Sequence, residues 1–214
     1  MSNFILFIGI ITAYIIGSIP TAYIFGRVLK GIDIRQYGSG NVGATNTFRV
    51  IGKLPGIIVL VIDILKGFVC VTYLAGLFLS IAPVTRPEFY KVLVGLSAIA
   101  GHNWTVFLKF KGGKGVATSS GVVIGLIPKI FLLSFAVWSL VFFITGFVSL
   151  ASIIAAISIS IFSLVFGEPT EVVVFMSILC LIIVYKHRSN IKRLHDGEEK
   201  RIELFKRSSR RKSA

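Results

Sequence analysis

Acidic side chains are scarce. The 214-residue chain carries 9 Asp and Glu against 23 Lys and Arg, and only 15% of its residues are charged. Carboxylate clusters of the kind that hold calcium or magnesium are therefore not expected. Histidine is scarcer still, and His102, His187 and His195 lack the spacing of a zinc site. The two cysteines, Cys70 and Cys180, lie inside apolar runs and read as packing residues without disulfide or metal spacing. No Ser, His and Asp stand at a spacing that suggests a nucleophile triad. No charged leader with a small-residue cleavage site opens the chain, so its first apolar run reads as a retained span. Internal repetition is also missing. Gly43-Ala44-Thr45 and Val116-Ala117-Thr118 look alike, but their flanking runs do not, which counts against a transporter built from two related halves.

What the chain does have is apolar length. Hydrophobic residues make up 55% of it, the composition of an all-α integral membrane protein, a polytopic helix bundle. Apolar runs cover about residues 4–25, 54–81, 89–108, 115–146, 148–166 and 172–185. Pro20 is placed to kink the first run. The run 115–146 is too long for one straight crossing, and Pro128-Lys129 is a natural break in it. Breaking it gives seven transmembrane helices and puts every polar connecting island on the same face as the tail. Of the 23 Lys and Arg, only Lys66, Arg86, Lys91 and Lys129 then fall elsewhere. Positive charge marks that face as cytoplasmic, with the N-terminus outside and the C-terminus in the cytoplasm. Residues 1–195 read as one membrane-embedded catalytic domain, and 196–214 as a charged, mobile cytoplasmic tail. The formal charge of +14 is gathered in the connecting stretches and this tail. That distribution suits anionic lipid or anionic substrates rather than nucleic acid.

Three polar islands carry the chemistry. The first is Gly38-Ser39-Gly40-Asn41-Val42-Gly43-Ala44-Thr45-Asn46, closed by Arg49. Its glycines let backbone amides turn one way and approach a ligand. Its Ser, Asn and Thr side chains add donors, and Arg49 adds a planar cation suited to phosphate. The second runs from Gly101-His102-Asn103-Trp104 into Lys109-Phe110-Lys111-Gly112-Gly113-Lys114-Gly115. Glycines and lysines just before a helix aim free amides and the positive helix end at an anion. The spacing of a nucleoside-triphosphatase phosphate loop is absent, so nucleotide hydrolysis is not expected. The third, Lys186-His187-Arg188-Ser189-Asn190-Ile191-Lys192-Arg193, puts His187 and Asn190 on one helix face. Asp63 and Lys66, three residues apart inside the second run, form either a self-neutralising pair that holds helices in register or a phosphate-facing Lys66 oriented by Asp63.

Together the islands offer two anion cradles and a basic cluster at one membrane edge, a place for a soluble phosphate compound to meet a lipid. The His-x4-Asp spacing of many acyl-CoA-dependent acyltransferases is absent. The ordered motifs closely resemble those of the bacterial acyl-phosphate:glycerol-3-phosphate acyltransferases. Those motifs are Gly-Ser-Gly-Asn-x-Gly-Ala-Thr-Asn with Arg49, Asp63-Ile64-Leu65-Lys66-Gly67, Gly101-His102 through Gly115-Val116-Ala117-Thr118, and His187 with Asn190-Ile191 and Arg193-Leu194. The resemblance runs from about residue 17 to 199. One departure is Thr105, where the pattern has proline after Trp104.

The resemblance implies transfer of a fatty acyl group from acyl-phosphate to the 1-hydroxyl of sn-glycerol 3-phosphate, with no cofactor, no metal and no protein partner. It implies phosphate binding by Ser39, Gly40, Asn41 and Gly43. Thr45 and Asn46 then support the loop or touch substrate, and Arg49, Lys114, His187 and Asn190 serve glycerol 3-phosphate and the leaving phosphate. Lys66 and Gly113 join the expected binding set; Ser149 and Ser152 either reach the same pocket or serve as helix-packing serines. The proton of the hydroxyl goes to His187 or to a substrate phosphate, and the lack of an evident carboxylate–histidine pair favours the substrate. A transporter or flippase for a phosphorylated small molecule or lysolipid is the alternative reading.

Overall fold

The computed structural model describes residues 2–202, and they are helical throughout their ordered elements. The first apolar run forms α1 (Ser2–Ser18) and α2 (Thr21–Lys30), separated at Ile19 and Pro20. Proline has no N–H to continue the ladder, so carbonyls at the break need other donors. They find them: Lys66 Nζ donates to the Ile19 carbonyl at 2.5 Å, and Thr105 Oγ1 to the Ser18 carbonyl at 2.5 Å. A short α3 (Ala44–Val50) follows the first island and turns at Gly52 into α4 (Lys53–Val69). One wider turn, Cys70–Leu74, carries that helix on into α5 (Ala75–Ile81). Next come α6 (Pro87–Asn103), α7 (Val116–Leu126), α8 (Pro128–Thr145), α9 (Val148–Val165), α10 (Thr170–Lys186) and α11 (Arg188–His195).

Four of these units are long and apolar enough to cross a bilayer: Ser2–Lys30, Lys53–Ile81, Pro128–Thr145 and Val148–Val165. α10 and α11 are bent by 57° at His187. The expected break at Pro128 is present. α7 has 11 residues, about 16 Å of helix, too short to cross alone. The third run ends as a helix at Asn103 rather than near residue 108. Beyond it Thr105 holds φ −65° and ψ 129°, the backbone that proline would impose. Its hydroxyl also accepts from the Phe107 amide at 3.2 Å. The substituted position therefore keeps the proline geometry and adds a bond to α1.

Helix pairs are set by glycines on both partners. Any side chain at Gly17 would strike the Ala98 carbonyl of α6, and one at Gly101 the Tyr14 carbonyl of α1. Gly67 meets α7 at the Thr118 carbonyl, and Gly121 meets α4 at the Ile64 carbonyl. Such close backbone approach is how helices gain dispersion contacts in lipid, where burial from water offers little between spans. One apolar cluster joins α6, α7, α9 and α10 through Ile99, Val122, Val123, Ala156, Phe175 and Met176; a second joins α1 and α6 through Ala13, Val94 and Ala98. Large apolar side chains such as Phe143 and Leu181 point outward, as a lipid-facing surface requires.

Candidate functional site

The first island is braced from within. Gly38 and Gly40 take left-handed φ of 64° and 71°, which other residues adopt at a cost. Asn46, 1% exposed, accepts from the Ser39 amide at 2.9 Å and donates to the Tyr37 carbonyl at 3.1 Å and the Ile34 carbonyl at 3.3 Å. Asn46 is thus a loop support. Thr47 Oγ1 donates to the Gly43 carbonyl at 3.1 Å, tying the start of α3. Upstream, Asp33 and Arg35 pair at 2.6 Å. The Arg35 hydrogen bonds hold the Asp33 carboxyl well below the ordinary carboxylate range, at about 2. With the loop fixed this way, the Ser39, Asn41 and Thr45 side chains line a cavity and have no hydrogen-bond partner among the described residues.

That cavity measures about 430 Å³. Its mouth gathers the three islands: Ser39, Asn41, Gly43, Thr45 and Arg49 from the first; Lys114 and Gly115 from the second; His187 and Asn190 from the third. α9 adds Ser149 and Ser152, and the same helix then continues the wall with Ala155, Ala156 and Ile159. From Ser149 to Ile159 is about 15 Å of helix, over which the lining passes from polar to apolar. Opposite, α8 supplies Phe131, Phe135, Trp138 and Phe142, whose rings stack in series with centroids 4.9 to 6.0 Å apart. Trp138 donates its indole N–H to Ser152 Oγ at 3.3 Å. Ile57, Leu60 and Ile64 close the apolar part from α4. Two buried hydroxyls, Ser119 and Ser134, also line it without a partner among the described residues.

The mouth is cationic and tightly bonded. Lys114 Nζ donates to Asn190 Oδ1. Burial, set against Glu199 and reinforced by Arg193, Arg49 and Lys186, brings the Lys114 ammonium down to about 8. Arg49 donates to the Lys200 carbonyl at 2.9 Å, and burial lowers its guanidinium too. His187 sits at the bend between α10 and α11, 3% exposed, with Nδ1 donating to the Ile183 carbonyl at 2.8 Å. That tautomer leaves Nε2 as an acceptor. Burial and the neighbouring Lys114 push the imidazole down to about 4, so it is neutral at pH 7.

Three expected binding residues lie elsewhere. Lys66 is 6% exposed and gives its ammonium to the Ile19 carbonyl, Thr21 Oγ1 and, at 2.7 Å, Asp63 Oδ1. Its donors are used where Pro20 opens α1, and it does not line the cavity, the arrangement expected of a self-neutralising pair with Asp63 that holds helices together. Gly113 packs against the His102 ring and the Val42 carbonyl, outside the cavity lining. Gly40 shapes the loop without lining the cavity. Asp63 and His102 do line it, with Oδ1 and Nδ1 3.9 Å apart, beyond hydrogen-bond reach.

Glu199 was not foreseen. The chain reverses after α11 at Gly197, φ 72°, and brings this carboxylate into the mouth, 9% exposed. It accepts from Ser149 Oγ at 2.7 Å, Asn190 Nδ2 at 2.7 Å and Arg193 Nε at 2.8 Å. Burial opposes its charge, but these three bonds outweigh burial and lower its pKa. Residues 199–202, placed in the tail by the sequence reading, form a strap: Arg201 lies over the Phe147 ring, and the Ile202 amide donates to the Gly146 carbonyl at 3.0 Å. A glycine just past a basic helix, followed by the acidic pair Glu198-Glu199, was the available signal. The rest of the expected tail, 203–214, lies outside the described residues. No group of three or more His, Cys, Asp or Glu among the described residues could hold a metal ion.

Bilayer-length helices around a cavity with a cationic, amide-rich mouth and an apolar interior define an integral membrane protein with a site for an amphipathic anion. The comparisons agree. The family described as glycerol-3-phosphate acyltransferase matches residues 7–197, and the chain belongs to that family. It is 46% identical over 198 residues to the glycerol-3-phosphate acyltransferase of Endomicrobium trichonymphae, covering 92% of this chain and 96% of the relative. It is 44% identical over 197 residues to that of Staphylococcus carnosus, covering 90% and 96%. Among solved structures it is similar to PlsY (YgiH), an integral membrane glycerol 3-phosphate acyltransferase, at 40% identity. The glycerol 3-phosphate form matches with a TM-score of 0.84 over 92% of this chain and 96% of that one. The lysophosphatidic acid form matches with 0.81 over 92% and 95%.

Proposed function

We propose that the protein transfers a fatty acyl group from acyl-phosphate to the 1-hydroxyl of sn-glycerol 3-phosphate. The hydroxyl oxygen bonds to the acyl carbon, the acyl–phosphate C–O bond breaks, and lysophosphatidic acid and inorganic phosphate leave. The observation that carries this reading is the single cavity joining a mouth rich in phosphate-binding groups to an aromatic apolar interior. One phosphate suits the side chains of Ser39, Asn41 and Thr45, which have no hydrogen-bond partner among the described residues, and the Gly43 amide beside them. Glycerol 3-phosphate and the leaving charge suit Arg49, Lys114, His187, Asn190, Ser149 and Ser152. An acyl chain along the α8 rings gains about 0.8 kcal/mol for each methylene removed from water.

The donor is a mixed anhydride and already activated, so positioning and anion stabilisation supply most of the catalysis. A neutral His187 with a pKa near 4 is a poor proton acceptor at pH 7. A substrate phosphate oxygen then takes the hydroxyl proton, while His187 binds through Nε2. Four helical units are long enough to cross; reading α6, α7 and α10 as shorter or tilted crossings beside them gives seven spans, with the N-terminus outside and the site at the cytoplasmic face of a bacterial inner membrane. The positive charge of the connecting stretches supports that orientation.

The test uses purified protein in lipid with palmitoyl-phosphate and glycerol 3-phosphate. Equal release of phosphate and lysophosphatidic acid, lost in Arg49→Ala and absent with palmitoyl-CoA, is the expected result. Folded protein without turnover overturns the reading and points to transport assays in vesicles.

A further inference from the structure

Apart from Asp63, which is held by Lys66, one carboxylate among the described residues lines the cavity, and it stands among cations. Glu199 accepts from Asn190 Nδ2, while Asn190 Oδ1 accepts from Lys114. A carboxamide can face either way; here the carboxylate leaves it one orientation, because Glu199 can only accept and Lys114 can only donate. We propose that Glu199 is a positioning residue for Lys114, acting through Asn190.

Two effects follow. The first is geometric. Turning the Asn190 amide over would present its NH2 to the ammonium, so the Glu199 bond fixes where Lys114 points. Ser149 Oγ and Arg193 Nε hold the carboxylate in turn, and the strap fixes the backbone through the bonds of Lys200 to Arg49 and Ile202 to Gly146. The second is electrostatic. Lys114 faces Arg49 of α3, Lys186 of α10, Arg193 of α11 and the neutral His187; among the described residues Glu199 is the one carboxylate acting on it. Burial and the three cations favour loss of the lysine proton, and Glu199 opposes them. A site that must attract phosphate from water needs that lysine charged before the anion arrives, and Glu199 supplies the counter-charge until then.

The proposal takes its catalytic meaning from the acyltransferase reading, but its first measurement does not depend on turnover. Wild type, Glu199→Gln and Arg193→Gln are labelled with a small amine-acylating anhydride across a pH series, and the Lys114 peptide is quantified by mass spectrometry. The wild-type midpoint is expected near 8. It falls by about one pH unit in Glu199→Gln and rises in Arg193→Gln, since the two variants remove opposite charges. The alkaline limb of kcat moves with it. A merely structural Glu199 would lower stability and activity at every pH and leave both midpoints in place, which overturns the proposal. A lower KM for glycerol 3-phosphate in Glu199→Gln with an unmoved midpoint also overturns it, making the carboxylate a stand-in for substrate. If Glu199→Gln does not fold, Glu199→Asp, which withdraws the carboxylate by one methylene from Asn190, takes its place: a lowered Lys114 midpoint supports the proposal and an unmoved one overturns it.

Discussion

Gly56 offers a sharp test of how the packing of α3 governs the site. This glycine, on the first turn of α4, lines the cavity. A Cβ there would lie 2.6 Å from both Cα and Cβ of Phe48 and 2.8 Å from its amide. Ordinary contact begins at 3.4 Å, so Gly56→Ala must push Phe48 back by about 0.8 Å, and Phe48 is backbone-adjacent to Arg49. α3 has seven residues and yields more readily than α4. Overpacking of this kind costs about 1–3 kcal/mol, and a displacement of about 1 Å at a positioned group costs up to about 10²-fold in rate. The expected variant is folded, modestly less stable, and ten- to a hundredfold slower, by an order-of-magnitude estimate from the same misplacement. The assay is steady-state turnover beside thermal unfolding in the same detergent. Gly76→Ala is the control: it too is helical, with nothing within 4 Å of the added methyl, and is expected to be neutral. Wild-type turnover in Gly56→Ala would refute the claim that α3 is held where Arg49 needs it.

Other outcomes follow from the same geometry. Lys66→Met strands a buried Asp63, at a cost of about 3–5 kcal/mol; Lys66→Met combined with Asp63→Asn recovers much of it, and thermal unfolding of the single and double variants measures the difference. Acid lowers stability through His187: the unfolded imidazole takes a proton near its ordinary 6.5, the folded one only near 4. The unfolded state therefore binds more protons, and this contribution is lost as pH falls from about 6.5 through 4. Unfolding in a pH series shows it as a slope that His187→Gln removes. Ser134→Ala deletes a buried hydroxyl without a partner among the described residues and is expected to be neutral or stabilising by about 1 kcal/mol in thermal unfolding.

The helices were legible because lipid demands length and apolarity, and Pro20 and Pro128 mark breaks by chemistry alone. The end of α6 was not, because apolar residues continue through Val106, Phe107 and Leu108 while the chain has already left the helix. Within the site, glycines and side-chain donors clustered in sequence revealed the mouth. The direction of Lys66 was hidden, since its acceptors at residues 19 and 21 are created by a proline on another helix. Glu199 was hidden for a related reason. Its partners Asn190 and Ser149 are 9 and 50 residues away, and in sequence it looks like one more charge in a charged stretch.

The strap has a bearing on how the protein is made. α1 to α10 all precede it, so a nascent chain can place these helices in the membrane while the mouth still lacks Glu199 and the backbone that Arg49 grips. The cationic groups are then gathered but unclasped. Completion of the site thus follows these ten helices and is separate from their insertion, and a chain stopped just short of residue 199 would hold them in place with the mouth open.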